Sequence, residues 1–252
     1  MRSLLVQEPH FAKDKADLSF AIAAPDNRPA TYEIALPSWA SVGFLGLQLD
    51  AGARLLPNPA RPRKTYAAIG DSITHGTGQG SAAYKTYPFL AARAMNWELY
   101  NLAVGGSKTS PALGAMLARK RVDVVTILVG YNDWNTHADP ATYAAAYAKL
   151  LDQLRRSQPT AALFCITPTL TKNTVSRTKQ ATPLEAFRTV VREAVRSRTA
   201  AGDRKIFLIE GTSLTDEADL RDTVHLNEGA RRVAASLASA IRKLAPSVAS
   251  RF

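Results

Sequence analysis

The chain has 252 residues, 46% of them apolar and 21% charged, with a single cysteine. That length can bury one sizeable core, the balance excludes a disordered or collagen-like chain, and one cysteine excludes an internal disulfide framework. Lys and Arg outnumber Asp and Glu by 32 to 21, a formal charge of +11. Such a surplus can attract nucleic acid or anionic surfaces. Here many cations, among them Arg188, Arg192, Arg196 and Arg198, alternate with apolar residues in helical stretches, which reads as a solvated helix face. No zinc-ligand spacing or aromatic RNA-binding motif accompanies the charge, so neither nucleic acid nor a membrane is expected as a partner. Residues 1–20 hold no apolar run of signal-peptide length, and no stretch approaches a membrane span. The expectation is a cytoplasmic chain, or a secreted one if a leader has been removed.

The first 60 residues differ from the rest. Segments 17–23, 31–36 and 42–49 carry alternating or β-rich patterns, as in "TYEIALP" and "SVGFLGLQLD", punctuated by Pro25, Pro29, Pro37 and Gly52. This suits short strands joined by turns. The stretch "PNPARPRK", 57–64, reads as a linker. Two parts are therefore expected: a small β-rich N-terminal extension over 1–60 and a main domain over 61–252.

From Thr65 short apolar runs alternate with helical segments. Strands are predicted at 66–69, 99–104, 122–129, 161–167 and 206–210. Helices are predicted near 86–95, 111–119, 140–157, 183–200 and 227–244. Asp139 can cap the third of these helices, with Pro140 in its first turn. Strands alternating with helices imply right-handed crossovers and a mainly parallel sheet covered on both faces, an α/β fold. Ligands of such sheets bind beyond the carboxyl ends of the strands. The lone Cys165, in "ALFCITP", reads as a buried strand residue.

At that carboxyl edge the first loop reads "IGDSITHGTG", 69–78. A dinucleotide fingerprint needs G-x-G-x-x-G, whereas Gly76, Gly78 and Gly80 space the last pair too closely. "GGSKT", 105–109, lacks a phosphate loop's G-K-[ST] core, because Ser107 separates Gly106 from Lys108. The G-x-S-x-G elbow does not occur.

Four loops at one edge nevertheless carry a consistent chemistry: "GDSIT" with Ser72, "NLAVGGS" with Gly105 and Gly106, "GYND" with Asn132, and "DTVHLNEGA" with Asp222 and His225. A hydroxyl is a poor nucleophile unless a base takes its proton and a third group holds the base. Ser72 is the candidate nucleophile, His225 the base and Asp222 its orienting acid. Acyl transfer also needs donors at the developing oxyanion: the Ser72 N–H, a glycine N–H from the second loop and the Asn132 amide. Asp71, His75, Tyr131 and Trp134 are placed at the substrate, with His137 as a further candidate. Residues 168–182 form a loop long enough to cover the site and carry Lys172, Arg177 and Lys179. The four histidines, 10, 75, 137 and 225, are not at ligand spacing, so no metal and no cofactor is expected.

Taken in order, these four blocks resemble the SGNH subgroup of the GDSL esterases and lipases, over residues 65 to about 245. The resemblance implies a flavodoxin-like three-layer fold with a mainly parallel five-stranded sheet, a Ser72-His225-Asp222 triad, and an oxyanion hole of Ser72, Gly106 and Asn132. Gly106 is preferred to Gly105 by its spacing from Asn101. Residues 1–60 resemble the β-rich extension of bacterial members acting on acylated carbohydrates. The expected function is a serine esterase removing short acyl groups, acetyl above all, from a carbohydrate or similar polar alcohol through an acyl-enzyme. The alternatives are a catalytically weak glycan-binding module on the same fold, or a lysophospholipase or thioesterase of the same family.

Overall fold

In a computed structural model, the chain is described at residues 21–22, 28–35, 42–57, 64–80, 82–136, 138–179, 181–228 and 230–249. It divides into two compact units, 1–34 with 47–59, and 35–46 with 60–252. The described residues of the first unit hold no helix or strand and turn at 51–52. In the second unit, the described residues 42–46 likewise carry none. Residues 17–20, 23, 36 and most of the linker, all part of the expected β-rich segments and their junction, lie outside the described residues.

The apolar runs of the main unit form a five-stranded parallel sheet. Its strands are β1 (Lys64–Gly70), β2 (Trp97–Asn101), β3 (Val124–Leu128), β4 (Ala162–Ile166) and β5 (Ile206–Ile209). Their order across the sheet is β2-β1-β3-β4-β5, and every neighbouring pair is parallel. β3 and β4 are buried at every position, as a strand covered on both faces must be. Cys165 sits inside β4 beside Tyr147, and burial pushes its thiol up to about 12, so it packs as a small apolar residue.

The helices are α1 (Ser72–His75), α2 (Tyr87–Met95), α3 (Pro111–Ala115), α4 (Tyr131–Asn135), α5 (Pro140–Ser157), α6 (Leu184–Ala200), α7 (Ala230–Leu244) and α8 (Pro246–Ala249). α2 packs with α7, and α5 packs with both α3 and α6, the division that right-handed crossovers on this strand order require. Asp139 starts α5 as expected, its carboxylate accepting from the Thr142 N–H at 2.9 Å. α5 turns Tyr143, Tyr147, Leu150, Leu151 and Leu154 into the core, and α7 turns Val233, Leu237 and Ile241, each at helical spacing. α3 stops at Ala115 rather than running to 119, because the Leu117 N–H reaches back to the nearer Gly114 carbonyl and tightens the chain into turns. Among the described residues no helix is long and apolar enough to cross a membrane.

In this strand order the chain first moves outward from β1 to β2 and then crosses back to β3 on the other side of β1. The crevice at such a reversal lies beyond the carboxyl ends of β1 and β3. Ser72 follows β1 and Asn132 follows β3, so the fold sets these two loops on either side of it.

Candidate active site

β1 ends at Gly70, and Asp71 caps the single turn α1, accepting from the Ile73 N–H at 3.0 Å. Ser72 is therefore the first residue of a helix, with an N–H that has no intrahelical acceptor. The loop that follows is braced by Gln79, whose amide donates to the Ile73 carbonyl and accepts from the Tyr87 N–H, both at 2.7 Å. Gly78, at φ +84°, shows why the loop is glycine-rich. A Cβ there would lie 2.3 Å from the carbonyl oxygen of Leu226, next in sequence to His225. Only a residue without a side chain lets the serine loop come so close to the histidine loop.

Ser72 Oγ lies 2.9 Å from His225 Nε2, and His225 Nδ1 lies 2.8 Å from Asp222 Oδ2. The other Asp222 oxygen accepts from the backbone N–H groups of Val224 and His225, each at 2.8 Å. Burial pushes the Asp222 carboxyl up, but these two N–H groups and the imidazole outweigh it and hold the group below the ordinary carboxylate range. An Asp222 anion fixed in this way accepts from Nδ1–H, which leaves the lone pair of Nε2 facing the serine hydroxyl.

Opposite the serine, the Asn132 amide donates to Asp71 Oδ2 at 3.3 Å and to the Ser107 carbonyl at 3.1 Å. Gly105 lies beside Ser72, since a Cβ built on it would stand 3.9 Å from the Ser72 Cβ. Gly106 adopts φ +77°, and the Ser107 hydroxyl donates to the Gly70 carbonyl at 3.2 Å. Asp71 is buried, and burial pushes its carboxyl up to about 6 against the pull of the Ile73 N–H and the His225 charge, with the Asp133 charge adding to the rise. Asp133 itself is held by the Thr109 N–H and hydroxyl.

The residues expected at the substrate are distributed differently from one another. Asp71 and Trp134 are each 1% exposed, because Asp71 caps α1 and holds Asn132, while the Trp134 ring donates to the Thr182 carbonyl at 2.9 Å. Tyr131 is buried with its hydroxyl accepting from the Asn173 amide at 2.6 Å. His75, at the end of α1, keeps partial exposure. His137 lies outside the described residues.

Thr171, Asn173 and Gln79 carry no motif, and only their positions reveal them. The Thr171 hydroxyl and the Lys172 N–H both donate to the Thr223 carbonyl at 2.8 Å, inside the Asp222–His225 turn. Loop 168–182 thus joins that turn to α4. Among the described residues no group of His, Cys, Asp and Glu could hold a metal ion.

The profile of the GDSL-like lipase/acylhydrolase family matches residues 68–240, which takes in all four loops. The chain belongs to this family. One curated relative is the cellulase/esterase CelE of Acetivibrio thermocellus. The two are 28% identical over 207 residues, 69% of this chain and 24% of CelE, so the chain spans about a quarter of that relative's length. Among solved structures, the salicylyl-acyltransferase SsfX3 from a tetracycline biosynthetic pathway matches with a TM-score of 0.68 at 19% identity, over 78% of this chain and 58% of that one. A family two carbohydrate esterase from Clostridium thermocellum, in complex with cellohexaose, matches with a TM-score of 0.60 at 24% identity, over 75% and 67% of the two chains. An acetyl xylan esterase from the rumen bacterium Butyrivibrio proteoclasticus matches with a TM-score of 0.57 at 17% identity, over 75% and 66%. These likenesses establish the shared α/β fold.

Proposed function

We propose that the chain is a serine esterase that removes short acyl groups, acetyl above all, from a carbohydrate or similar polar alcohol. The observation that carries this reading is the unbroken path from Asp222 through His225 to Ser72, with links of 2.8 and 2.9 Å.

In the proposed reaction His225 Nε2 takes the Ser72 proton as Oγ bonds to the acyl carbon. The carbonyl π electrons move onto oxygen, and the tetrahedral oxyanion is met by the Ser72 N–H, the Gly106 N–H and the Asn132 amide hydrogen that turns to it from the Ser107 carbonyl, while the other stays on Asp71. The imidazolium that forms is stabilised by Asp222 and, at longer range, by the Asp71 carboxylate, whose charge couples to His225. Collapse breaks the bond to the alcohol oxygen, which leaves with the proton from His225. Water then gives a proton to His225, attacks the acyl-enzyme, and the second collapse returns Ser72 and releases the acid. The preference for a short acyl group and a sugar alcohol is supported by the carbohydrate esterases among the structural relatives.

The test is hydrolysis of p-nitrophenyl acetate by the chain and by Ser72→Ala. Loss on the order of 10⁴-fold or more is expected in the variant, with the unfolding midpoint little changed. Near-native turnover by the variant would remove Ser72 as nucleophile. A series of p-nitrophenyl esters of rising acyl length, run beside acetylated sugars, tests the short-acyl part.

A further inference from the structure

Most of the strongly held cations of the main unit have structural partners. Arg155 pairs with Asp203, Arg198 with Asp152, Arg192 with Glu185 and Glu210, and Arg232 with Asp216 and Asp219. Lys172 is arranged in the opposite way. Its backbone is fixed, because its own N–H and the preceding Thr171 hydroxyl both hold the Thr223 carbonyl, and the following Asn173 is tied to Tyr131 at 2.6 Å. Asn173 also donates its N–H to the Thr171 hydroxyl at 3.1 Å, which closes the turn around Lys172. Yet the Lys172 side chain is exposed, and its ammonium meets no carboxylate among the described residues.

A lysine normally loses much of any ion-pair gain to the ordering of its flexible stem and backbone. Here the backbone share of that cost is already met by folding. The mount stands one hydrogen bond from the Asp222–His225 turn on one side and one from α4, which carries Asn132, on the other. Two further cations add to the field. Arg221 is exposed and one residue before Asp222, with its N–H on the His225 carbonyl at 2.8 Å and its stem against Gly78. Lys108 follows the glycine pair, and its charge is felt by Asp133. Cations from three loops at the carboxyl edge of the parallel sheet raise the local concentration of anionic ligands there.

We infer that Lys172 is a specificity-determining residue that engages an anionic group on the alcohol part of the substrate, so that the preferred ester is an acylated acidic sugar with a carboxylate beside the acylated ring. This inference rests on the esterase reading and narrows its substrate class. No covalent step is added: the ammonium of Lys172 acts only on binding.

The deciding experiment compares kcat/KM for an O-acetylated methyl glucopyranoside and the methyl glucopyranosiduronate acetylated at the same positions. In about 10 mM salt the wild type is expected to favour the uronate by roughly two- to fivefold, the range of an exposed ion pair, and in about 0.5 M salt the ratio is expected to approach one. Lys172→Gln should bring the low-salt ratio close to one, and Lys172→Glu should invert it. A wild-type ratio near one at low salt overturns the inference, as does a preference that Lys172→Gln leaves unchanged. Ser72-dependent turnover of both sugars without charge preference removes this inference alone. If neither sugar nor p-nitrophenyl acetate is turned over through Ser72, the esterase reading falls as well.

Discussion

The Asn132 amide nitrogen lies 3.3 Å from the carboxylate of Asp71, the residue immediately before Ser72. One carboxylate therefore caps the turn that presents the serine and holds the amide on the other side of the crevice. Its proton is bound more tightly in the folded chain, with a pKa of about 6, than in the unfolded one, near 3.8. Asp71 thus favours the folded state fully below pH 3.8, and that contribution is lost as pH rises to about 6, a change on the order of 3 kcal/mol. Asp71→Asn removes this loss but gives up one acceptor, at about 1 kcal/mol. The variant is expected to be more stable than wild type near pH 7.5, by roughly 2 kcal/mol, and not at pH 4. Its turnover should nevertheless fall, because the Asn132 amide loses its anchor. Urea unfolding at the two pH values, alongside esterase assays, checks both halves. A variant less stable than wild type at both would contradict the first.

Asn132→Ala is expected to lower kcat by about 10²–10³-fold, the usual cost of one oxyanion donor, with little change in KM. Steady-state kinetics on p-nitrophenyl acetate measures this. A loss confined to KM would place Asn132 in ground-state binding instead.

Asp222→Asn tests the tautomer. The amide oxygen can keep the Val224 and His225 N–H groups, which turns its NH₂ toward Nδ1. Nδ1 must then accept, and Nε2 carries the hydrogen and cannot take the serine proton. A drop in kcat on the order of 10⁴-fold is expected with the fold retained. Activity within tenfold of wild type would show that His225 finds its tautomer without Asp222.

Gly78→Ala addresses the approach of the two loops. The added methyl would meet the Leu226 carbonyl at 2.3 Å on a backbone at φ +84°. The His225 turn must move away from Ser72, so turnover is expected to fall at least tenfold, with a loss of about 1–3 kcal/mol in stability. Thermal unfolding and kinetics on the same preparation separate the two effects, and unchanged values for both would show that the loops tolerate the shift.

The sheet was legible because β3 and β4 are buried on both faces and so read as unbroken apolar runs, and because Asp139-Pro140 marks a helix start in both side chain and backbone. Ser72, Asn132, Asp222 and His225 stood out because each is a polar residue directly after a strand or before the last helix. Position within the site was less legible. Asp71 and Trp134 lie in the same motifs yet face inward, since a buried carboxylate with its partners satisfied looks in sequence like an exposed one. Thr171 and Asn173 gave no signal at all, because what matters is their reach to Thr223 and Tyr131, more than 40 residues away in the chain. Gln79 was hidden for the same reason, its two partners being backbone groups.

Loop 168–182 is held at its base as well as along its length. Arg188 donates to the Pro168 and Thr169 carbonyls at 2.8 Å, and the Arg177 N–H bonds the Asn135 side chain at 2.8 Å. A segment fastened at these points is expected to stay in place when substrate meets an oil–water boundary. Turnover of a partly soluble ester should therefore follow the concentration of dissolved monomer and level off where droplets or micelles begin to form, without the jump in rate that an enzyme with a hinged cover displays at that point.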